Sequence, residues 1–235
     1  MKIRLTLLAS ALLVAPPHAN SEEASPKTTI SGQERAEELH EMAPEEFREL
    51  VEAGEEIDFE HIDQHLLAAA VFHETNRRRI DHDLEPLGYK HGLREAARIQ
   101  ASGMRREEIV SHQHPDESKE TLTDRLSQLE IKGRYFAENV AMTFGVRYES
   151  GKPFHTRQED GARIISDQPD GAPIPPHTYL SFAEALLDEW MDSPGHRENI
   201  VAAEPRLLGT SSLHDRTPDG MDRFYSVQVF FAPFE

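Results

Sequence analysis

Apolar side chains recur at helical spacing at Ile62, Leu66, Ala69 and Ala70, with His73 on the same stripe, which predicts a helix over 62–80 with one buried face. Residues 83–87 then read as a turn. A second helix is predicted over 92–106, where Leu93, Ala96, Ala97, Gln100, Ala101 and Met104 share one side, and the small residues among them imply close packing against a neighbour. A third starts at Thr121 or Thr123 and carries Leu122, Leu126 and Leu129. Residues 136–144 are apolar and aromatic with little helical period, so they are either a strand or an irregular buried segment. From 145 to 177 the chain is rich in Gly, Pro, Asp and Glu, and only Ile164-Ile165 suggests a short strand. Loops of that length inside a compact domain are uncommon, and this one reads as an insertion over about 145–178. A fourth helix over 181–191 buries Phe182, Leu186 and Trp190. Tyr225, Val227, Val229 and Phe231 alternate with Phe224, Ser226, Gln228 and Phe230, which is the period of a sheet. With a partner strand over 207–213 and a loop over 215–222 containing Pro218-Asp219-Gly220, they predict a terminal hairpin. Helices followed by strands make the class α+β.

The start of the chain stands apart. Lys2 and Arg4 flank an apolar run over 3–15, followed by Pro17-His18-Ala19, and residues 1–19 read as a secretory signal peptide. The run is shorter than the roughly 20 residues a membrane span needs, so no stable anchor is expected after its removal, and the destination is the periplasm or the medium. Residues 20–60 are an acidic leader and partly helical arm, supported by Leu39, Met42, Phe47, Leu50 and Val51 and expected to be only partly docked. The domain proper is placed at 61–235. His73 and Glu74 are chemically tempting, but a histidine beside an apolar helical face is more often a packed, hydrogen-bonded residue than a ligand.

Charge and cysteine usage narrow the classes. Net charge is −18, and residues 21–60 hold 14 acidic against 3 basic residues. Binding to nucleic acid or an anionic membrane needs clustered Lys and Arg, so such partners are disfavoured. The chain has no cysteine, which excludes disulfides, thiolate metal sites, a cysteine nucleophile and a lipidated cysteine anchor.

Three segments carry candidate chemistry. Trp190-Met191-Asp192-Ser193-Pro194-Gly195-His196-Arg197-Glu198-Asn199-Ile200 reads as a helix end, a tight turn and a new helix. Ser193 is positioned to cap it, Pro194 suits its first turn, Gly195 brings the backbone close, and His196 lies among orphan amides. Upstream are Ser111-His112-Gln113-His114-Pro115 and Ala137-Glu138-Asn139-Val140-Ala141. In that order these segments resemble the bacterial, cysteine-free branch of the CAP superfamily, also called the SCP or cysteine-rich secretory protein family. The opening helix of that family is matched over 66–80, including Asn76 and Arg79, and its closing strand over 224–231; the resemblance covers roughly 61–235.

The resemblance implies an α-β-α sandwich with a central antiparallel sheet, and a surface cleft with two histidines and two glutamates. His112 matches the first histidine, Glu138 the first glutamate and His196 the second histidine. The second glutamate falls on Ser193, so that acid is missing, and neither Glu184 nor Glu189 occupies its position. Ala137 stands where the family motif has glycine. His112, Glu138, Asn139 and His196 are therefore the expected cleft residues. Two imidazoles and a carboxylate could supply three ligands to zinc or another divalent cation, with water fourth; His112 and His196 are the candidate metal ligands, and His114 is a possible substitute. Three functions stay open. The first is a secreted binding module for an envelope or extracellular peptide, glycan or lipid-like ligand. The second is a hydrolase with Glu138 and His196 catalytic, either through a metal-bound water or through Glu138 acting as a base via His112. The third is an interaction protein acting through its acidic arm.

Overall fold

The computed structural model describes residues 31–149, 151–159, 162–216 and 220–234. The expected signal peptide, the first part of the leader and the Pro218-Asp219 tip of the terminal hairpin lie outside these residues. The compact unit begins at Ser31.

The arm consists of α1 (Gly32–Glu41), α2 (Pro44–Arg48) and a 3-10 turn (Val51–Gly54). Ser31 starts α1 with a capping box, its hydroxyl accepting from the Glu34 amide while the Glu34 carboxylate accepts from the Ser31 amide. The arm was expected to be partly docked; instead Ala36, Phe47, Ala53 and Ile57 are all at most 2% exposed. Leu39 is buried as well, with Met42 and Leu50 packed partly against the same core, while Val51 stays exposed.

α3 (Gln64–Ile80), capped by Asp63, is buried along most of its length. β1 (Gly88–Tyr89) leads into α4 (His91–Glu107). A 3-10 turn (Glu117–Lys119) and α5 (Leu122–Gln128) precede β2 (Tyr135–Phe144). β3 (His155–Glu159) and β4 (Ala162–Ser166) form a separate two-stranded hairpin within the 145–178 region, where the sequence signalled only one short strand. α6 (Tyr179–Asp192), α7 (Pro194–Ile200), β5 (Leu207–Arg216) and β6 (Asp222–Ala232) complete the chain.

The main sheet has the order β1-β5-β6-β2. β5, β6 and β2 are antiparallel, and the two-residue β1 adds a parallel edge that the hydrophobic pattern is too short to reveal. Each face carries its own core. On one, Phe224 and Phe230 pack with residues of α3, α6 and the arm, including Phe182 and Trp190. On the other, Tyr225, Val227, Val229 and Phe231 pack with Leu93, Ala96, Ala97 and Met104 of α4 and Leu126 of α5. The result is the expected α-β-α sandwich. Gly209 of β5 lets α4 approach the sheet closely: a β-carbon there would lie 2.1 Å from the Arg94 amide nitrogen. Among the described residues no helix is long and apolar enough to cross a membrane.

Candidate functional site

The candidate residues gather along β2, the edge strand of the sheet. Successive side chains of a strand face opposite sides, so neighbours Glu138 and Asn139 serve different layers.

Glu138 faces the α4–α5 layer and is 9% exposed. Its Oε1 lies 3.0 Å from Nδ1 of His112, and its Oε2 accepts from Nη2 of Arg125 at 2.5 Å. An ionised carboxylate only accepts, so the shared proton belongs on His112 Nδ1 and the Nε2 lone pair is free. The His112 ring is largely exposed, so it presents that nitrogen to solvent. Arg125 is fully buried, and its Nη1 also donates to the carbonyls of Lys119 and Glu120. Glu138 is thereby clamped between a buried guanidinium and an exposed imidazole.

Asn139 faces the other layer and is completely buried. Its Nδ2 donates to the carbonyl of His196 at 3.1 Å and to Oε1 of Gln228 at 3.2 Å, and its Oδ1 accepts from Asn199 at 2.8 Å. Gln228 in turn donates to the Thr75 hydroxyl on α3. With its amide fully engaged and no exposed surface, Asn139 holds α7 in place rather than lining a cleft.

α7 is pinned from a second direction. Arg79, at the end of α3, donates from Nη1 to the carbonyls of Ile200 and Ala202, each at 2.7 Å. Pro194 opens the helix as expected, but Ser193 forms no side-chain capping bond. Nothing lies within 4 Å of a β-carbon built on Gly195, so the close backbone approach expected there is absent. The half-buried His196 ring is held below its ordinary pKa by burial, and the charge of His112 acts in the same direction.

The other nearby groups are engaged elsewhere. His114 turns away from His112, with its ring over Gly103 of α4 and its Nδ1 accepting from the Asp116 amide. Glu184 pairs with Arg48. Glu189 accepts from the Thr143 hydroxyl of β2 at 3.0 Å, and surrounding protein raises its pKa although the residue keeps solvent contact. His73 is buried, stacked on Phe47, with Nε2 bonded to the Leu39 carbonyl. Glu74 is ion-paired with Arg48, Arg77 and Arg78.

The donor set does not fit a three-ligand metal centre. Both oxygens of Glu138 are taken, one of them by a buried cation, and among the described residues no three His, Cys, Asp or Glu side chains gather as a metal site. A carboxylate on Nδ1 is the arrangement that orients an imidazole, so Glu138 supports His112 instead of ligating beside it. Arg125 and Gln228 were missed from the sequence. An arginine on a short helix otherwise reads as solvated, and a glutamine on the alternating strand β6 gives no sign of its buried partners.

The model of the cysteine-rich secretory protein (CAP) family matches residues 72–230. Among solved structures, the chain is similar to an extracellular SCP-domain protein from Bacillus anthracis, at 20% identity over 72% of this chain and 41% of that one, with a TM-score of 0.49. An outer surface protein from Borrelia burgdorferi matches at 16% identity over 77% of this chain and 98% of that one, with a TM-score of 0.46. A cysteine-rich secretory protein from Staphylococcus aureus matches at 15% identity over 72% of this chain and 39% of that one, with a TM-score of 0.42. No curated protein matches the sequence.

Proposed function

The chain belongs to the cysteine-rich secretory protein (CAP) family, and on that premise we propose that it is a secreted binding protein whose ligand docks across the edge of β2. What supports this reading is the His112–Glu138–Arg125 chain on one face of β2 and the His196 carbonyl bonded to Asn139 on the other. With its Nδ1 proton held by Glu138, His112 offers a fixed acceptor to a ligand O–H or N–H. That chemistry favours a peptide or a glycan over a lipid-like ligand, which would offer few donors. Export follows from the apolar N-terminal run and its small-residue end.

A second reading rests on the same pair. An imidazole backed by a carboxylate is a general-base arrangement, and His112 could take a proton from a water or hydroxyl in an extracytoplasmic hydrolysis. Ser111 and Ser193 lie in no nucleophile elbow, so water is the nucleophile in this version. The acidic arm is the poorer basis for function, since most of its apolar side chains, Leu39, Phe47, Ala53 and Ile57 among them, are already committed to the core.

The test is nuclear magnetic resonance of the histidine rings during titration with a short peptide, a chitooligosaccharide and zinc chloride, alongside His112→Ala and His196→Ala. The binding reading expects one organic probe to shift both rings and to lose affinity in both variants. Turnover of that probe, abolished by His112→Ala, would favour the hydrolase. Indifference of both rings to every organic probe would remove the cleft as the functional site.

A further inference from the structure

We propose that this protein has a second binding site, a groove between the end of α4 and the loop that follows it, which takes a basic peptide segment. The proposal is independent of the β2-edge cleft. The groove arises because α4 ends at Glu108 in the left-handed conformation (φ 54°), turning the chain so that residues 109–120 return alongside the helix. It encloses about 530 Å³, a volume in the range of small-ligand sites.

Its floor holds a donor with no partner. His114 is only 7% exposed. Its backbone N–H is bonded to the Glu120 carbonyl at 2.9 Å, and its Nδ1 accepts from the Asp116 amide at 3.0 Å. That acceptor role places the ring proton on Nε2. Nε2–H meets no acceptor among the described residues and is not among the polar atoms sealed inside the protein, and the ring that carries it lines the groove together with Gly103 beneath it. Burial also lowers the pKa of the ring. The position depends on Gly103, where a β-carbon would lie 2.5 Å from His114 Cδ2 and 2.8 Å from Nε2. A neutral N–H donor at the floor suits a peptide carbonyl.

The walls specify the rest of the occupant. Glu107, Glu117 and Glu120 line the groove, and no Lys or Arg does. Glu107 is paired with Arg106, whereas among the described residues the Glu120 carboxylate has only a 3.4 Å contact from Gln113 and Glu117 forms no ion pair. Two carboxylates are therefore available to a lysine or arginine side chain. Met104 and the 60% exposed Ile109 supply an apolar surface beside them. A segment alternating basic and apolar residues satisfies all three features, and the net charge of −18 would steer it inward.

The experiment is fluorescence anisotropy of the full chain with a labelled hexapeptide of alternating lysine and leucine, and with its glutamate–leucine counterpart. The lysine peptide is expected to bind and the glutamate peptide not to. The exposed double variant E117Q/E120Q should weaken binding about fivefold, as two surface charge pairs of about 0.5 kcal/mol each would. Gly103→Ala, which displaces the His114 ring, should weaken it as well, while His112→Ala should leave it unchanged. Absence of lysine-peptide binding, equal binding of both peptides, or indifference to E117Q/E120Q overturns the proposal. Loss on His112→Ala with none on E117Q/E120Q overturns it too, because it would assign the peptide to the cleft.

Discussion

Arg125 and Glu138 form an ion pair inside the protein, with Nη2 and Oε2 2.5 Å apart and the arginine fully buried. Charges out of water are tolerated only when paired, and removing one partner leaves the other uncompensated. Arg125→Leu should therefore cost about 3–5 kcal/mol, the range for breaking a buried pair. The double variant Arg125→Leu with Glu138→Leu should recover much of the loss, because no charge is stranded. Urea unfolding of the two variants tests this. Equal losses in both would mean that packing, not charge, is what Arg125 contributes.

Asn139→Ala should act at a distance. It removes the donor to the His196 carbonyl and to Gln228 Oε1, and the acceptor of Asn199 Nδ2. A buried polar group left unsatisfied costs about 1–3 kcal/mol, so a global loss near 3 kcal/mol is expected. Amide exchange across 194–200 should accelerate more than in α6, since α7 loses its tie to Asn139 while Arg79 still holds its end. Uniform acceleration through both helices would contradict the positioning role given to Asn139.

Acid should destabilise this protein through its histidines. His40 stacks on Tyr89 and packs edge-on to Phe72, and burial pulls its pKa to about 3; His177, also buried, falls to about 4. Both bind protons more readily unfolded, near 6.5, than folded. Their contribution is therefore fully present above about pH 6.5 and is lost as pH falls toward 4 and then 3, at up to about 1.4 kcal/mol per pH unit for each. Urea midpoints between pH 7.5 and 4.5 should fall, and His40→Phe should flatten the decline. An unchanged slope in that variant would remove His40 from the account.

Two glycines should respond oppositely to a methyl group. Gly209→Ala drives a β-carbon into the backbone of α4 at Leu93 and Arg94, and overpacking of this kind costs about 1–3 kcal/mol or more. Gly195→Ala meets open space inside a helix, where alanine is favoured by about 0.5–1 kcal/mol. Thermal unfolding distinguishes them. A destabilised Gly195→Ala would show that the glycine answers a local backbone need the open space does not reveal.

The helices and the terminal hairpin were legible because each repeats its period over many residues. Leu66, Ala69 and Ala70 mark α3, and Tyr225, Val227, Val229 and Phe231 mark one face of β6. The β3–β4 hairpin was not, because His155–Glu159 is polar at every position and leaves no alternation to read. The site was legible as residue types in order, and His112 does meet Glu138. Its internal division was hidden. Nothing local says that Asn139 is consumed by Gln228, 89 positions away, or that Arg125 neutralises Glu138. Such partners are chosen by the tertiary fold, and a linear reading sees only residues that look solvated or free.

The edge strand β2 carries a mechanical implication. His112 belongs to the layer of α4 and α5, and His196 to the layer of α3, α6 and α7, and β2 is the edge strand between them. A molecule gripping both rings would rivet one layer to the other across the sheet margin. In a chain without a single cysteine, that occupant would serve as a removable staple, and the melting temperature would report its concentration.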